Sequence, residues 1–477
     1  MDQSISAGRV AALVAGFDRA PAYAGLADAL VLLIGDGRIP LGARLPSERD
    51  LTAALQVSRT TVARAYTALR DAGYATARQG AGTYAAVPGG RSRVHDRVLV
   101  PWAGEREMID LNCAATSAPP EIAPAYADAV ADLPAYLCGH GYFPAGLPDL
   151  QAAIARSYDR RGLPTDPEQI VVTPGALSAA ALITRAFAAR RDRVLVESPV
   201  YPNAAQALRD GGARLVEAPV DPDGWDLDAI RAVVRQTSPS LMFLVPDFQN
   251  PTGCVMTAAQ RRTLAADLGH AGTVPVVDEA HQALALDGQE MPPPFAAFAP
   301  GALTIGSASK AFWGGLRVGW IRAPHACLER LTRARVALDL GVPVLEQLVV
   351  ARLIAAGPVA AAHLPRLRTQ RDALCAAVAA ALPDWRFVRP AGGLALWCEL
   401  PRPAGTALAK LAEERGVVVA PGPVFSVGGG LNRFVRIPWT RPPEELELAV
   451  ARLADAWKSL ADSTPPSSHP GRRVMVA

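Results

Sequence analysis

The chain has 477 residues, more than one ordinary core accommodates, and half of them are hydrophobic. Its apolar stretches, such as Ala29 to Ile34, fall far short of a membrane span, and the start Met1-Asp2-Gln3-Ser4 lacks the basic-then-apolar pattern of an export signal. Six cysteines (113, 138, 254, 327, 375, 398) are scattered without a CxxC pair, which argues against zinc and against a disulfide framework and points to a reducing cytoplasm without a membrane partner. The net charge of +3 is unevenly placed: residues 1–93 hold 11 arginines against 7 acids, whereas the remainder holds 37 basic and 38 acidic residues. The basic front end suits a polyanion partner.

Ser47 in Leu45-Pro46-Ser47-Glu48-Arg49-Asp50-Leu51 is followed three residues on by Asp50, a capping pattern that predicts a short helix ending near Leu55. After a tight Gln56-Val57 connection, Ser58 is placed to cap a second helix. In it Val62, Ala65, Tyr66 and Leu69 share one face, leaving Arg59, Arg64, Thr67 and Arg70 elsewhere, and Gly73 closes it. Two short helices so joined have helix-turn-helix form. The spacing alone would equally suit a helical hairpin used for protein contacts. Tyr74 to Tyr84 reads as a hairpin with a glycine-bearing tip.

Leu-Pro-Ser-Glu-Arg, Val-Ser-Arg-Thr-Thr-Val, Ala-Tyr-x-x-Leu and a Gly-x-Gly-Thr wing, in that order, resemble the winged helix-turn-helix domain of the GntR regulators. The resemblance implies double-stranded DNA as partner, with Arg49, Ser58, Arg59 and Thr61 at phosphates or major-groove base edges and Gln79 and Gly80 at the minor groove. Arg59 is the candidate for reading guanine, because its fork can bond O6 and N7 together. This domain is expected over residues 1–85. A turn-rich, aperiodic linker follows over 86–107, the next domain over 108–462, and a disordered tail over 463–477.

From about residue 150, helical patterns alternate with short apolar strands ending at Thr173, Glu197, Val245 and Asp278, which argues for a mostly parallel sheet covered on both faces. In such sheets chemistry belongs at the strand ends. Thr173-Pro174-Gly175-Ala176-Leu177 opens a helix, Tyr201 offers a ring face, Asn250 offers an amide, and Asp278 a carboxylate. Ser307-Ala308-Ser309-Lys310 then precedes Arg317. Lys310 stands out, since Lys410 and Lys458 are the only other lysines and read as solvated helix charges. Each residue taken singly has an ordinary structural reading, such as a helix cap for Asp278 or core for Tyr201. Together they form the parts list of pyridoxal-phosphate (PLP) chemistry: an amine, a carboxylate for the pyridine nitrogen, and donors for the phosphate.

Over about residues 108–460 the series resembles fold-type I PLP enzymes of the aspartate-aminotransferase superfamily, with a large part over about 108–320 and a small part over about 321–462. The resemblance implies Lys310 as Schiff-base lysine, Asp278 at the pyridine nitrogen, Tyr201 stacked on the ring and Asn250 at the phenolic oxygen. Ala176, Leu177, Ser307, Ser309 and Arg317 would form the phosphate cup. Tyr142 would reach the cup of a second subunit, implying a homodimer, and Arg436 would clamp a ligand carboxylate. His281 departs from the family, which often has tyrosine there; histidine can donate the same bond but ordinarily titrates near neutrality, so tuning of the cofactor by His281 is a hypothesis.

A GntR-like reader fused ahead of an aminotransferase-like domain is the arrangement of the MocR regulators. It implies a cytoplasmic transcription factor, nucleoid-associated when on its operator, for which PLP or a captured amine or amino acid is the signal. The competing readings are an active aminotransferase with an appended DNA-binding module and a PLP-binding scaffold without turnover.

Overall fold

A computed structural model of the chain describes residues 4–35, 39, 42–78, 82–86, 108–221, 223–357 and 363–462. Gln79 and Gly80 of the expected wing tip, nearly all of the expected linker and the expected tail lie outside the described residues. The chain divides into two compact units, Met1–Val100 with Ser117–Glu121 and Pro101–Thr116 with Ile122–Ala477.

The first unit holds α1 (Ala7–Leu13), α2 (Ala22–Gly35), α3 (Glu48–Leu55), α4 (Arg59–Asp71) and an antiparallel hairpin of β1 (Ala75–Arg78) and β2 (Gly82–Ala85). Side-chain caps start the two helices of the helix-turn-helix. Ser47 Oγ accepts from the Asp50 amide at 3.1 Å and Ser58 Oγ from the Thr61 amide at 3.0 Å, satisfying donors that the first turn leaves free. Gln56 between them takes the left-handed conformation, with φ 53°. Val62, Ala65, Tyr66 and Leu69 are all buried, as their spacing requires, and pack with Leu26, Leu30 and Leu33 of α2. Neither α1 nor α2 was signalled by the sequence. The long apolar run of α2 carries little periodicity because one side meets α4 and much of the rest meets other core.

The second unit begins with β3 (Ile109–Leu111), α5 (Ile122–Asp132) and α6 (Pro148–Asp159). Then come β4 (Ile170–Thr173), α7 (Ala176–Phe187), β5 (Arg193–Ser198), α8 (Pro202–Asp210), β6 (Arg214–Asp221), β7 (Gly224–Trp225), α9 (Leu227–Thr237), β8 (Leu241–Leu244), α10 (Ala258–Ala271) and β9 (Val274–Asp278). These are followed by β10 (Leu303–Ser307), α11 (Ala308–Ala311), β11 (Gly319–Arg322), α12 (His325–Val336), α13 (Val344–Ala356) and α14 (His363–Ala381). The last stretch is β12 (Ala395–Glu399), α15 (Gly405–Glu414), β13 (Val417–Pro421), β14 (Phe434–Pro438) and α16 (Pro443–Asp462).

Eight strands form one sheet in the order β4-β11-β10-β9-β8-β5-β6-β7, and four form another in the order β12-β14-β13-β3. In the large sheet β10, β9, β8, β5 and β6 run parallel, while β11 and β7 are antiparallel to their neighbours. Val194, Val196, Phe243, Val276 and Ile305 fill one of its faces against Ala179, Ala180 and Ile183 of α7. This is the fold-type I aminotransferase architecture expected from the sequence. One correction concerns the start of the large part. Ile109–Leu111 pairs parallel with Val417–Val419, and Ile109 and Leu111 bury themselves among Leu396, Val435 and Leu453, so β3 is a strand of the small part. Nothing in a three-residue strand announces which of two distant sheets completes it.

A buried ion pair holds the loop beyond β8. Arg261 of α10 donates through Nη2 to Asp247 Oδ1 at 2.6 Å, through Nε to Met256 O at 2.9 Å and through Nη2 to Pro246 O at 3.3 Å. The side chains of Arg261 and Asp247 are 0 % and 1 % exposed. Arg261→Met therefore strands a buried carboxylate and is expected to destabilise the unit by about 3–5 kcal/mol in thermal or urea unfolding. Adding Asp247→Leu should recover a large part of the loss; no recovery would mean that packing, not charge pairing, gives Arg261 its value.

Candidate functional site

In the second unit the ends of β4, β5, β8, β9 and β10 each deliver a residue to one region. After β4 the chain turns through Pro174 and Gly175 into α7, whose first residues are Ala176 and Leu177 and whose opening amides can receive an anion. Gly175 has φ 104°, and a Cβ there would lie 2.5 Å from Arg317 Nη2, so glycine alone allows this approach. Arg317, itself left-handed with φ 50°, donates to Pro174 O at 3.0 Å, which holds its guanidinium at the mouth of α7. Ser307 ends β10 and caps α11, its Oγ accepting from the Ser309 amide at 3.2 Å. Ala176, Leu177, Ser307, Ser309 and Arg317 thus form a cup at the starts of α7 and α11 whose amides, hydroxyls and guanidinium suit an anion.

Lys310 lies in the single turn of α11, its Nζ donating to Ala114 O at 2.9 Å. Burial, reinforced by the nearby Arg436 charge, holds its ammonium below the ordinary lysine range, with Asp278 pulling weakly the other way. Asp278 ends β9 and accepts from the Ala280 amide at 2.9 Å. Burial pushes its carboxyl up to about 6, against the pull of that amide and of Lys310.

Tyr201 caps α8 at the end of β5, with Oη accepting from Asn203 Nδ2 at 3.0 Å. Asn250 Oδ1 accepts from Arg436 Nη1 at 3.3 Å. Arg436, in β14 and fully buried, also donates through Nη2 to Asn112 O, while its Nε has no partner. Burial lowers it to about 10, and its guanidinium lies 5.1 Å from the Phe425 ring. Tyr142 is not in this pocket; it is 56 % exposed, and Leu137, Leu338 and Leu340 are exposed as well.

His281 is 7 % exposed and its Nδ1 is buried without a partner. Burial, with the Lys310 and Arg436 charges beside it, pushes it down to about 3. This environment favours the neutral imidazole over the cation that a histidine ordinarily forms as pH falls through neutrality.

Three features escaped sequence reading. The carbonyls of Asn112 and Ala114, just past β3, meet Arg436 and Lys310, and Thr440 Oγ1 donates to Cys113 O at 3.2 Å. The rule that chemistry sits at strand ends would have reached this segment had β3 been assigned to a sheet. Glu197, pushed up to about 7 by burial, accepts from Trp225 Nε1 at 2.7 Å and Gln249 Nε2 at 3.1 Å. Gln249 in turn donates to Pro199 O at 2.8 Å and accepts from the Thr252 amide at 3.0 Å, so Asn250 sits on a fixed loop. Finally, Glu217 of β6 accepts from the Val427 amide at 2.7 Å and the Gly428 amide at 3.1 Å, tying the loop before β14 to the large sheet.

The residues fit PLP. The cup offers amides, hydroxyls and an arginine for a phosphate, Asp278 and Lys310 are side by side, and His281 leaves a buried ring nitrogen for a further bond.

In the first unit Arg49 and Arg59 are exposed, Arg59 with 78 % of its side chain free and only a 3.8 Å approach to Glu48. Ser58 and Thr61 hydroxyls lie 2.8 Å apart at the start of α4, where the helix dipole favours a phosphate. Arg64, which the sequence left as a surface charge, stacks 3.6 Å from the Tyr23 ring centroid.

The family model described as aminotransferase class I and II matches residues 117–453, and that of the bacterial regulatory proteins of the gntR family matches residues 22–85. The chain is 33 % identical over 305 residues to 2-aminoadipate transaminase of Thermus thermophilus, covering 62 % of this chain and 76 % of that one. It is 29 % identical over 447 residues to the HTH-type transcriptional regulator YdcR of Escherichia coli, covering 87 % and 94 %. With the probable rhizopine catabolism regulatory protein MocR of Rhizobium meliloti the identity is 29 % over 362 residues, 70 % of this chain and 71 % of that one. Among solved structures, the α-aminoadipate aminotransferase LysN of Thermus thermophilus, complexed with N-(5'-phosphopyridoxyl)-L-leucine, superposes with a TM-score of 0.68 at 30 % identity, covering 75 % and 94 %.

With His281 neutral, the cofactor's absorbance against pH should show the same number of transitions in wild type and His281→Phe between about pH 5 and 8, with only a displaced midpoint where the imidazole's hydrogen bond is lost. A transition near neutrality present in wild type and absent from the variant would show that the imidazole takes a proton there.

Proposed function

The chain belongs to the aminotransferase class I and II family and carries a gntR-family helix-turn-helix domain ahead of it; from that premise we propose that it is a DNA-binding regulator whose signal is PLP, or an amine or amino acid captured through it, at Lys310. The reading head is residues 1–85, the linker 86–107 and the sensor 108–462. The observation that carries the proposal is the juxtaposition in one chain of an exposed Arg59 at a capped helix start and a buried Lys310 amine disfavoured from charging beside Asp278.

Bound PLP supplies a carbonyl carbon that an amine can occupy and a ring that withdraws electrons from that amine. Lys310 Nζ, kept short of its ordinary basicity, is the amine that would hold the cofactor. Asp278 would keep a proton on the ring nitrogen, Tyr201 would stack on the ring, and Asn250 and His281 would bond the phenolic oxygen. The α7 start, Ser307, Ser309 and Arg317 would hold the phosphate. Arg436 clamps the carboxylate of an amino-acid effector. Tyr142, with Leu137, Leu338 and Leu340, supports a homodimer face through which its hydroxyl reaches the cup of the second copy.

At the DNA, α4 enters the major groove with Arg49, Ser58 and Thr61 on phosphates and Arg59 on a guanine edge; Gln79 and Gly80 would follow at the minor groove. A ligand at Lys310 alters DNA affinity only by binding two conformations unequally. Turnover is the second reading, favoured by the full set of Lys310, Asp278 and Arg436.

Titration of a duplex from upstream of its own gene, with and without PLP and then with amino acids, tests the proposal. PLP should shift the affinity of wild type but not of Lys310→Ala. Arg59→Ala should weaken binding by about 1–3 kcal/mol whether or not PLP is present. Rapid transamination by a protein that ignores the duplex would make it an aminotransferase instead.

A further inference from the structure

The hairpin of the first unit is widened by a third stretch of chain. Residues 42–45 run antiparallel along β2. The Gly42 amide donates to Ala85 O at 2.8 Å, the Ala85 amide to Ala43 O at 2.9 Å and the Leu45 amide to Thr83 O at 2.8 Å. β2 is therefore the middle strand, with β1 on its other side. Side chains alternate between the two faces of such a ribbon. Ala43, Leu45, Ala75 and Ala85 take one face and are buried in the core of this unit. Arg44, Thr76, Arg78, Gly82 and Tyr84 take the other, because Arg44 and Thr76 both lie opposite Tyr84, and Arg78 lies opposite Gly82.

On that outer face two arginines approach β2 from opposite flanks. Arg44 leans along the strand towards Gly82, where a Cβ would lie 3.0 Å from Arg44 Nε and where φ is 107°. Glycine is thus needed twice over, for its backbone and for the room it leaves the guanidinium. Arg78 leans the other way, its guanidinium carbon 4.2 Å from the centroid of the Tyr84 ring. Tyr84 is 4 % exposed, whereas Arg44 and Arg78 are exposed. The two cations stand over one strand at positions two residues apart, about 7 Å along it. Among the described residues neither guanidinium has a carboxylate partner. Like charges held this close repel each other until an anion lies against both.

We propose that Arg44 and Arg78 form a clamp for the sugar-phosphate backbone of duplex DNA, each taking one of two neighbouring phosphates. An open ribbon face has no walls to enclose a small anion, so a polyanion that lays a row of charges along it is the fitting partner. Tyr84 and Gly82 act through the pair, one as the platform for Arg78 and the other as the space for Arg44. The clamp rests on the reading of the first unit as a DNA-binding head. It adds to that head two contacts that fix position and carry no base information.

The full-length protein is titrated with the duplex from upstream of its own gene and with an unrelated duplex of equal length, from about 50 to about 200 mM salt. Arg44→Gln and Arg78→Gln should each flatten the fall of log affinity with log salt by about one, and the double variant by about two. The deficit of the double variant against wild type should therefore shrink about tenfold across that range. Both duplexes should lose affinity by the same factor, whereas Arg59→Ala should lose more on the upstream one. Arg44→Lys combined with Arg78→Lys keeps both charges and should restore the slope, which a merely structural role would not predict. The proposal is overturned if the double Gln variant keeps the wild-type slope, or if its loss is confined to the upstream duplex. Either result leaves the DNA-binding reading standing as long as Arg59→Ala weakens binding. A wild type that binds neither duplex removes that reading and the clamp together.

Discussion

A lysine amine and a carboxylate, both penalised in their charged forms by burial, share one small space, and much of the second unit is arranged around that pair. Burial alone lowers Lys310 and raises Asp278, disfavouring the charge on both. Arg436 adds to the depression of Lys310 from a strand of the other sheet. The balance therefore needs both sheets in register at one point. That is why the ends of five large-sheet strands and one small-sheet strand converge there, and why Glu217 is spent on tying the loop before β14 to β6.

The same requirement explains the buried polar network beneath Asn250. Glu197, Gln249 and Thr252 bond one another and the backbone, and Arg261 with Asp247 locks the start of the loop. None of these side chains belongs to the reactive set. Their work is to remove freedom from the loop that carries Asn250, whose amide oxygen accepts from Arg436. Positioning residues of this sort outnumber the groups they position, which is ordinary for sites held to within fractions of an ångström.

What could be read from the sequence was local. Ser47, Ser58 and the Val62, Ala65, Tyr66, Leu69 spacing each act within a few residues, so the helix-turn-helix was visible. Lys310 was visible because a chain that otherwise uses arginine placed a lysine after a run of small residues. Strand-end residues were visible because alternation of strand and helix implies where strands end. The unread part depends on distance along the chain. Lys310 meets a carbonyl 196 residues away, and Arg436 meets one 324 residues away, separations that leave no period to detect. His281 shows the limit from another side: its identity is plain in the sequence, but its ionisation is a property of what surrounds it.

The segment from Asn112 to Ala114 carries one more implication. Its carbonyls accept from Lys310 and Arg436, so main chain just past β3 is bonded to two of the side chains on which the sensing reading turns. That main chain begins five residues after 107, where the expected linker ends. On the proposed reading, a ligand that drew Lys310 or Arg436 away from these carbonyls would free the main chain just past β3, close to where the second unit begins.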